Sequence, residues 1–358
     1  MTSDASSQHA PPPPVAGISV PDAIRFAREQ GAVDLLLKAR SFSLLQAKEW
    51  IAYPYAPQGL SEWLDKHGFH ADSRLSRQHA ASGFAVFDIR DDVGSARVTL
   101  CGTRENPVLT IRLHERFTPT LDELGYPEPI PSLHKRSQGV IILTGPGGSG
   151  KSSLGAAYAE SATTARRNVW LLESPPEYLQ LSPLATTFAV GPNGDFPTFT
   201  HGVVASMTGA IDVLVIGQVN DADTARAAFD AARLGTLVIA TMLAGDSAQA
   251  LAQLQDYGLP LRTIADLLVG VVALRLVPAI SGKDALTGRP LVALTEVCQV
   301  TATLQRFFLS HCGTTFEPLR EQLRAGKLDI DSALRAAVSE RRISLQDARA
   351  CAIQQEAI

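Results

Sequence analysis

Residues 139–161 read GVIILTGPGGSGKSSLGAAYAES. The apolar run VIILT leads into a glycine-rich octet, residues 145–152, that satisfies G-x-x-x-x-G-K-[ST], and a helical run of small residues follows. Glycines in such a loop let successive backbone N–H groups curl around phosphate oxygens, and the helix that starts there adds the positive end of its dipole. On this reading Gly145, Pro146, Gly147, Gly148, Ser149, Gly150, Lys151, Ser152 and Ser153 form a nucleotide cradle. Lys151 would reach the β- and γ-phosphates, and Ser152 would hold Mg²⁺. The alternative, an ordinary glycine-rich turn, does not require a strand before it and a helix after it.

Beyond the loop, NVWLLES (168–174), IDVLVIG (211–217) and TLVIAT (236–241) are further apolar, β-branched runs separated by helical patterns. Runs without polar alternation suit strands covered on both faces, as in a parallel sheet with crossover helices, so residues 139–300 read as an α/β domain. On the N-terminal side, residues 1–16 are polar and proline-rich and read as a disordered tail. Residues 17–127 mix a helix opening at PDAIRFAREQ with the short strands FAVFDIR, ARVTLCG and VLTIRLH, which predicts an α+β domain. Residues 128–138, within GYPEPIPSLHKRSQG, have linker composition. Residues 301–358 read as a helical extension, with Ser344 and Asp347 in a capping pattern at its last helix.

The net charge of -4 and pI near 6.1 supply no basic field, which argues against a dedicated nucleic-acid binder. The four cysteines (Cys101, Cys298, Cys312, Cys351) have no C-x-x-C pair and read as reduced thiols, and the histidines show no metal-ligand spacing. Trp50, Trp63 and Trp170 read as core or interface anchors. Nothing resembles an export signal or a spanning helix, which predicts a soluble protein.

The order of these segments resembles the PilT-like ATPases of type IV pili and type IV secretion, and within them the Dot/Icm branch of DotB and its conjugation relatives. LLESPPEY (171–178) resembles the family's acidic box, FPTFTHGVVASMTGAIDVLVIGQVND (196–221) the approach to its Walker B strand, and RLVPAI (275–280) the segment closing the ATPase core. Arg97 and Arg112, fifteen residues apart, match the family's pair of arginines that contact nucleotide across a subunit boundary. Without the resemblance, both would read as part of a solvated sheet face. The resemblance implies an α+β, PAS-like first domain, a RecA-like P-loop domain with a parallel sheet, and a helical C-terminal domain. It also implies ATP and Mg²⁺ as cofactors and a homo-oligomer, a hexamer, open to mixing with an active homologue. Partners would be inner-membrane components of a secretion, conjugation or pilus machine, with the chain cytoplasmic and peripheral to that membrane, not inserted in it, and without nucleic acid.

Three positions depart from the family. Gln218 stands where the Walker B Glu is expected, Asn220 where an arginine follows, and Leu243 in the histidine position of the box TMLA (241–244). Glutamine keeps the shape of glutamate but accepts a proton poorly, so the departures predict Mg-ATP binding with slow hydrolysis. Glu173 is retained, either as a water-activating acid, which would make the chain a fully active motor, or as a carboxylate facing Mg²⁺ through water. A DNA translocase is the least favoured reading. Asp212 reads as a cap, and Asp221 as a solvated turn residue.

Overall fold

The computed structural model describes residues 17–354 except 39, 47–48, 54–55, 71–72, 92–93, 104–105, 114–117, 175, 179, 181, 192–193 and 313–314, so the expected tail over 1–16 lies outside the described residues. The chain divides into two compact units, Met1–Arg116 and Phe117–Ile358.

The first unit runs α1 (Val20–Glu29), β1 (Asp34–Lys38), β2 (Ser41–Gln46), β3 (Glu49–Tyr53), α2 (Leu60–Lys66), α3 (Arg74–Ser82), β4 (Phe84–Asp91), β5 (Gly94–Gly102) and β6 (Pro107–Leu113). Its six strands form one antiparallel sheet in the order β3-β2-β1-β6-β5-β4. The predicted helix at PDAIRF is α1: Ser19 caps it by accepting the Asp22 N–H, and Pro21 sits in the first turn, where its missing N–H costs nothing. Apolar residues from alternate strand positions, Leu35, Leu37, Val98, Leu100, Leu109 and Ile111 among them, build the core against α1.

The second unit opens with two short helices, α4 (Leu121–Leu124) and α5 (Ile130–Leu133). The proline-rich stretch expected as a linker therefore carries a helix, with Ile130 and Leu133 buried in the core of the second unit. Its prolines account for both appearances: Pro131 lies in the first turn of α5, a position helices tolerate.

Then follow β7 (Gly139–Thr144), α6 (Lys151–Thr164), β8 (Val169–Glu173), β9 (Ala185–Ala189), α7 (Phe199–Ser206), β10 (Val213–Ile216), α8 (Ala222–Arg233), β11 (Leu237–Met242), α9 (Ser247–Asp256), α10 (Leu261–Leu267), β12 (Leu268–Pro278) and β13 (Leu291–Gln299). The sheet order is β13-β12-β7-β11-β10-β8-β9, parallel except for the β12–β13 pair. Successive residues of one strand enter opposite cores: Val140 and Ile142 belong to one cluster, Ile141 and Leu143 to the other. Both faces are covered, which explains the unbroken apolar runs.

The C-terminal helices α11 (Ala302–His311), α12 (Glu317–Ala325), α13 (Ile330–Ser339) and α14 (Leu345–Cys351) pack on this unit. Phe308, Phe316 and Leu319 enter the sheet core, while Ile330, Leu334 and Ala348 cover Val277 and Val292 of the β12–β13 pair. As predicted, Ser344 caps α14 by accepting the Asp347 N–H. Among the described residues no helix is long and apolar enough to cross a membrane.

Candidate nucleotide site

Parallel pairing brings the C-terminal ends of β7, β8, β10 and β11 to one edge of the sheet, where open α/β sheets bind ligands. The loop 145–150 leaves β7 there and enters α6. Gly145 has φ +143°, and a Cβ on it would lie 2.5 Å from the Leu274 carbonyl oxygen, so the tight exit from β7 requires glycine. Gly150 is the N-cap of α6 and supplies no side-chain acceptor, so the first-turn N–H groups of this fourteen-residue helix gain no cap from it. They are suited to an anion.

Lys151 Nζ donates to the loop's own carbonyls, Gly145 O at 2.9 Å and Pro146 O at 2.7 Å. Burial lowers its pKa to about 8, the Glu177 carboxylate opposes that shift, and Arg275 adds to it. An ammonium this desolvated gains from a polyanion, so loop, helix end and lysine together fit a nucleotide's phosphates.

Next to the loop, Ser152, Glu173, Glu177, Gly217 and Thr241 line a cavity of about 40 Å³. Its hydroxyl and carboxylate oxygens are hard donors, and its size fits one small cation. Glu173 ends β8 at 8% exposure, and its Oε2 accepts the Glu177 N–H at 3.0 Å. Burial raises its pKa to about 7; the Glu177 N–H pulls the other way, and the Glu177 carboxylate adds to the rise. Ser153 Oγ and Tyr178 Oη lie 2.6 Å apart, tying the acidic box to α6.

Gly217 follows β10 so closely on β8 that a Cβ would sit 2.9 Å from the Leu172 carbonyl oxygen. Its N–H donates to that oxygen at 2.7 Å, and the Thr241 hydroxyl donates to the Gly217 carbonyl. Gln218 follows, half-buried, and is not among the described residues lining the small cavity. Leu243, 55% exposed, stands just past β11, and Asn220 is exposed. The loop that bears Leu243 is anchored beneath the P-loop: Ala244 N–H donates to Thr144 Oγ1 at 3.0 Å.

The structure thus gathers the P-loop residues, Glu173 and the start of the Gly217–Gln218 turn on one sheet edge. Arg97 and Arg112 belong to the first unit, where they pair across β5 and β6. Arg112 donates from Nε to Asp34 at 3.0 Å. Asp221, read as a turn residue, is the N-cap of α8 and accepts the Thr224 N–H at 2.7 Å; Asp212 accepts the Asn168 N–H at 2.8 Å. Sequence reasoning passed over Thr241 and Glu177, although Glu177 stands four residues after Glu173 inside the quoted acidic box, the spacing that places it at the same cavity.

The family model described as Type II/IV secretion system protein matches residues 92–355. Type II secretion system ATPase E of Vibrio cholerae is 35% identical over 261 residues, 71% of this chain and 48% of that protein. Other curated relatives are matched over 20% to 61% of their own length, so the chain spans only part of them. Among solved structures, the pilus retraction motor PilT with bound ADP superposes with a TM-score of 0.78 at 20% identity, over 95% of this chain and 99% of that one. The ATPase DotB of Legionella pneumophila gives 0.77 at 18% identity, over 95% and 97%. At these identities the likeness is one of fold, and it is the fold anticipated from the segment order.

Proposed function

Since this chain belongs to the Type II/IV secretion system protein family, we propose that it binds Mg-ATP at residues 145–153 and turns it over slowly, as an energy-coupling or regulatory subunit of a type IV secretion, conjugation or pilus machine. The observation that carries the reading is the Lys151 ammonium held on the carbonyls of Gly145 and Pro146 at the uncapped end of α6. Those carbonyls are replaceable partners, and phosphate oxygens are better ones. Ser152 and Glu173 would hold Mg²⁺, directly or through water. When bound, the ion would neutralise phosphate charge.

Gln218 carries the claim of slow turnover. It follows Gly217 where the family resemblance leads one to expect a proton-accepting acid, and losing such a group removes about 10² to 10⁴ in rate. Assembly as a ring, a hexamer by resemblance, would place Arg97 and Arg112 to contact a neighbour's nucleotide, and a mixed ring with an active homologue would fit a weak site.

A second reading has its own observation. A carboxyl with a pKa near 7 is well poised as a base at neutral pH, so Glu173 is equipped to orient or deprotonate water in a fully active motor. Steady-state hydrolysis and nucleotide binding of the full chain, beside Lys151→Ala, Gln218→Glu and Glu173→Gln, separate the two. The slow-site reading expects tight binding, little turnover and a rise with Gln218→Glu. Robust wild-type turnover abolished by Glu173→Gln selects the motor. Binding that survives Lys151→Ala would defeat both.

A further inference from the structure

Gln218 follows β10, and one residue of the neighbouring strand β11 holds the chain on both sides of it. Thr241 is buried; it donates its hydroxyl to the Gly217 carbonyl and accepts the Val219 N–H on its own carbonyl at 2.8 Å. The first bond fixes the peptide plane between residues 217 and 218, the second the plane between 218 and 219. Peptide groups are rigid, so two fixed planes set φ and ψ of the residue they share. The flanks are held as well: Gly217 N–H donates to the Leu172 carbonyl at 2.7 Å, and the Val219 side chain is buried in the core. Thr241 therefore decides the direction in which the Gln218 side chain leaves the backbone.

The same threonine belongs to the small cavity. Ile239, two positions earlier on β11, packs in the core shared with Leu154 and Ala157 of α6, and strand alternation puts the Thr241 side chain on that face. There it lines the cavity of about 40 Å³ together with Ser152 and Gly155 of α6 and Glu173 of β8. A hydroxyl that donates to a carbonyl keeps its lone pairs. A cation that draws on one of them, directly or through water, polarises the O–H and strengthens its bond to Gly217. A methyl group in that place offers neither interaction, whereas the bond from Val219 uses the Thr241 backbone and outlasts a change of side chain.

We propose that Thr241 is the positioning residue of this site: it fixes the backbone at residue 218, and it ties the rigidity of that turn to a divalent cation in the adjoining cavity. The first half stands on the hydrogen bonds alone; the second rests on the Mg-ATP reading above. Coupling of this kind is reciprocal, so a cation that tightens the turn is itself held more tightly by it.

The test uses the full chain with Thr241→Val, which keeps the shape and removes the hydroxyl, and Thr241→Ser, which restores the hydroxyl. Amide exchange is followed over 213–221 and 145–152 without ligand, with ATP in EDTA and with Mn-ATP. Without ligand, exchange at 217–219 should quicken about fivefold in Thr241→Val, the effect of one hydrogen bond, and return toward wild type in Thr241→Ser, with 145–152 unchanged. Mn-ATP should slow exchange at 217–219 beyond ATP alone in the wild type and in Thr241→Ser, but not in Thr241→Val. The Mn²⁺ Kd in the presence of ATP, read by electron paramagnetic resonance, should rise about fivefold in Thr241→Val while ATP affinity in EDTA stays within about twofold.

Ligand-free exchange at 217–219 that ignores Thr241→Val, or that quickens equally in Thr241→Ser, would overturn the positioning role. Equal protection of 217–219 by ATP and Mn-ATP in the wild type, which needs no variant to fold, or an unchanged Mn²⁺ affinity in Thr241→Val, would overturn the coupling. Failure of the Mg-ATP reading shows separately, as 145–152 left unprotected by ATP in the wild type; it takes the coupling with it, and the ligand-free exchange still decides the positioning role.

Discussion

Arg97 and Arg112 stand directly opposite each other on β5 and β6, and Arg112 sends Nε and a second guanidinium nitrogen to Asp34 of β1 at 3.0 and 3.1 Å. Like charges facing each other across an antiparallel pair repel, so the Asp34 carboxylate offsets a cost built into the sheet. Asp34 is buried, whereas the Arg112 side chain is 57% exposed. The two halves of the pair are therefore unequal. Asp34→Asn releases a cation that water can solvate and should cost about 1 kcal/mol, whereas Arg112→Ala strips a buried carboxylate of its fork and should cost about 2–3 kcal/mol. Urea unfolding of both variants checks the order, and an Asp34→Asn variant weaker than Arg112→Ala would contradict it.

Glu173 links the site to stability. Burial lifts its pKa to about 7 from an ordinary 4.5. Between those values the folded chain keeps a proton that the unfolded chain has released, so stability falls as pH rises from about 4.5 to 7. Glu173→Gln retains an acceptor for the Glu177 N–H and removes the titration. Unfolding free energies at pH 5 and pH 7.5 should converge in the variant relative to wild type, by an amount on the order of 2–4 kcal/mol. Equal pH dependence in the two proteins would show that Glu173 titrates normally.

Lys151 shifts in the opposite sense, lowered from 10.5 to about 8 chiefly by burial. Between about 8 and 10.5 the unfolded chain holds the extra proton, so the ligand-free chain gains stability as pH rises across that window. Phosphates favour the ammonium, so nucleotide binding near pH 8.5 should take up a proton, and affinity should fall by up to about tenfold per pH unit above 8. Calorimetry in two buffers of different ionisation enthalpy measures the uptake. A binding enthalpy independent of buffer would refute it.

These groups were unevenly legible in the sequence. The P-loop and the two-sided strands could be read because each is local: the octet carries its own geometry, and residues such as Ile142 and Leu143 serve opposite cores from adjacent positions. The pairing of Asp34 with Arg112 spans 78 residues and depends on β1 lying beside β6, which no local pattern announces. Proline-rich composition at 128–138 suggested a linker because helix starts and turns draw on the same residues. Asp221 was misread for the same reason: a solvated turn residue and an N-cap look alike until the helix behind it is known.

Arg275 opens the quoted RLVPAI segment, and only the fold shows what it joins. Buried on β12, it donates to the carbonyls of Gly245 at 2.7 Å, Leu274 at 2.9 Å and Cys351 at 3.3 Å. It thereby ties the loop that follows β11 to the end of α14. Asp331 holds the residues just beyond, accepting the Ile353 and Gln354 N–H groups at 2.8 and 3.1 Å. Arg275→Met fills similar space without donors and should cost about 2–4 kcal/mol. Amide exchange should quicken first at 345–354 and around 243–246, while β7 stays protected. The same substitution removes a cation that helps to lower the Lys151 pKa, so proton uptake on nucleotide binding should move to higher pH. Uniform loss of protection across the second unit would mean that Arg275 supports the sheet as a whole and does not fasten its C-terminal helix.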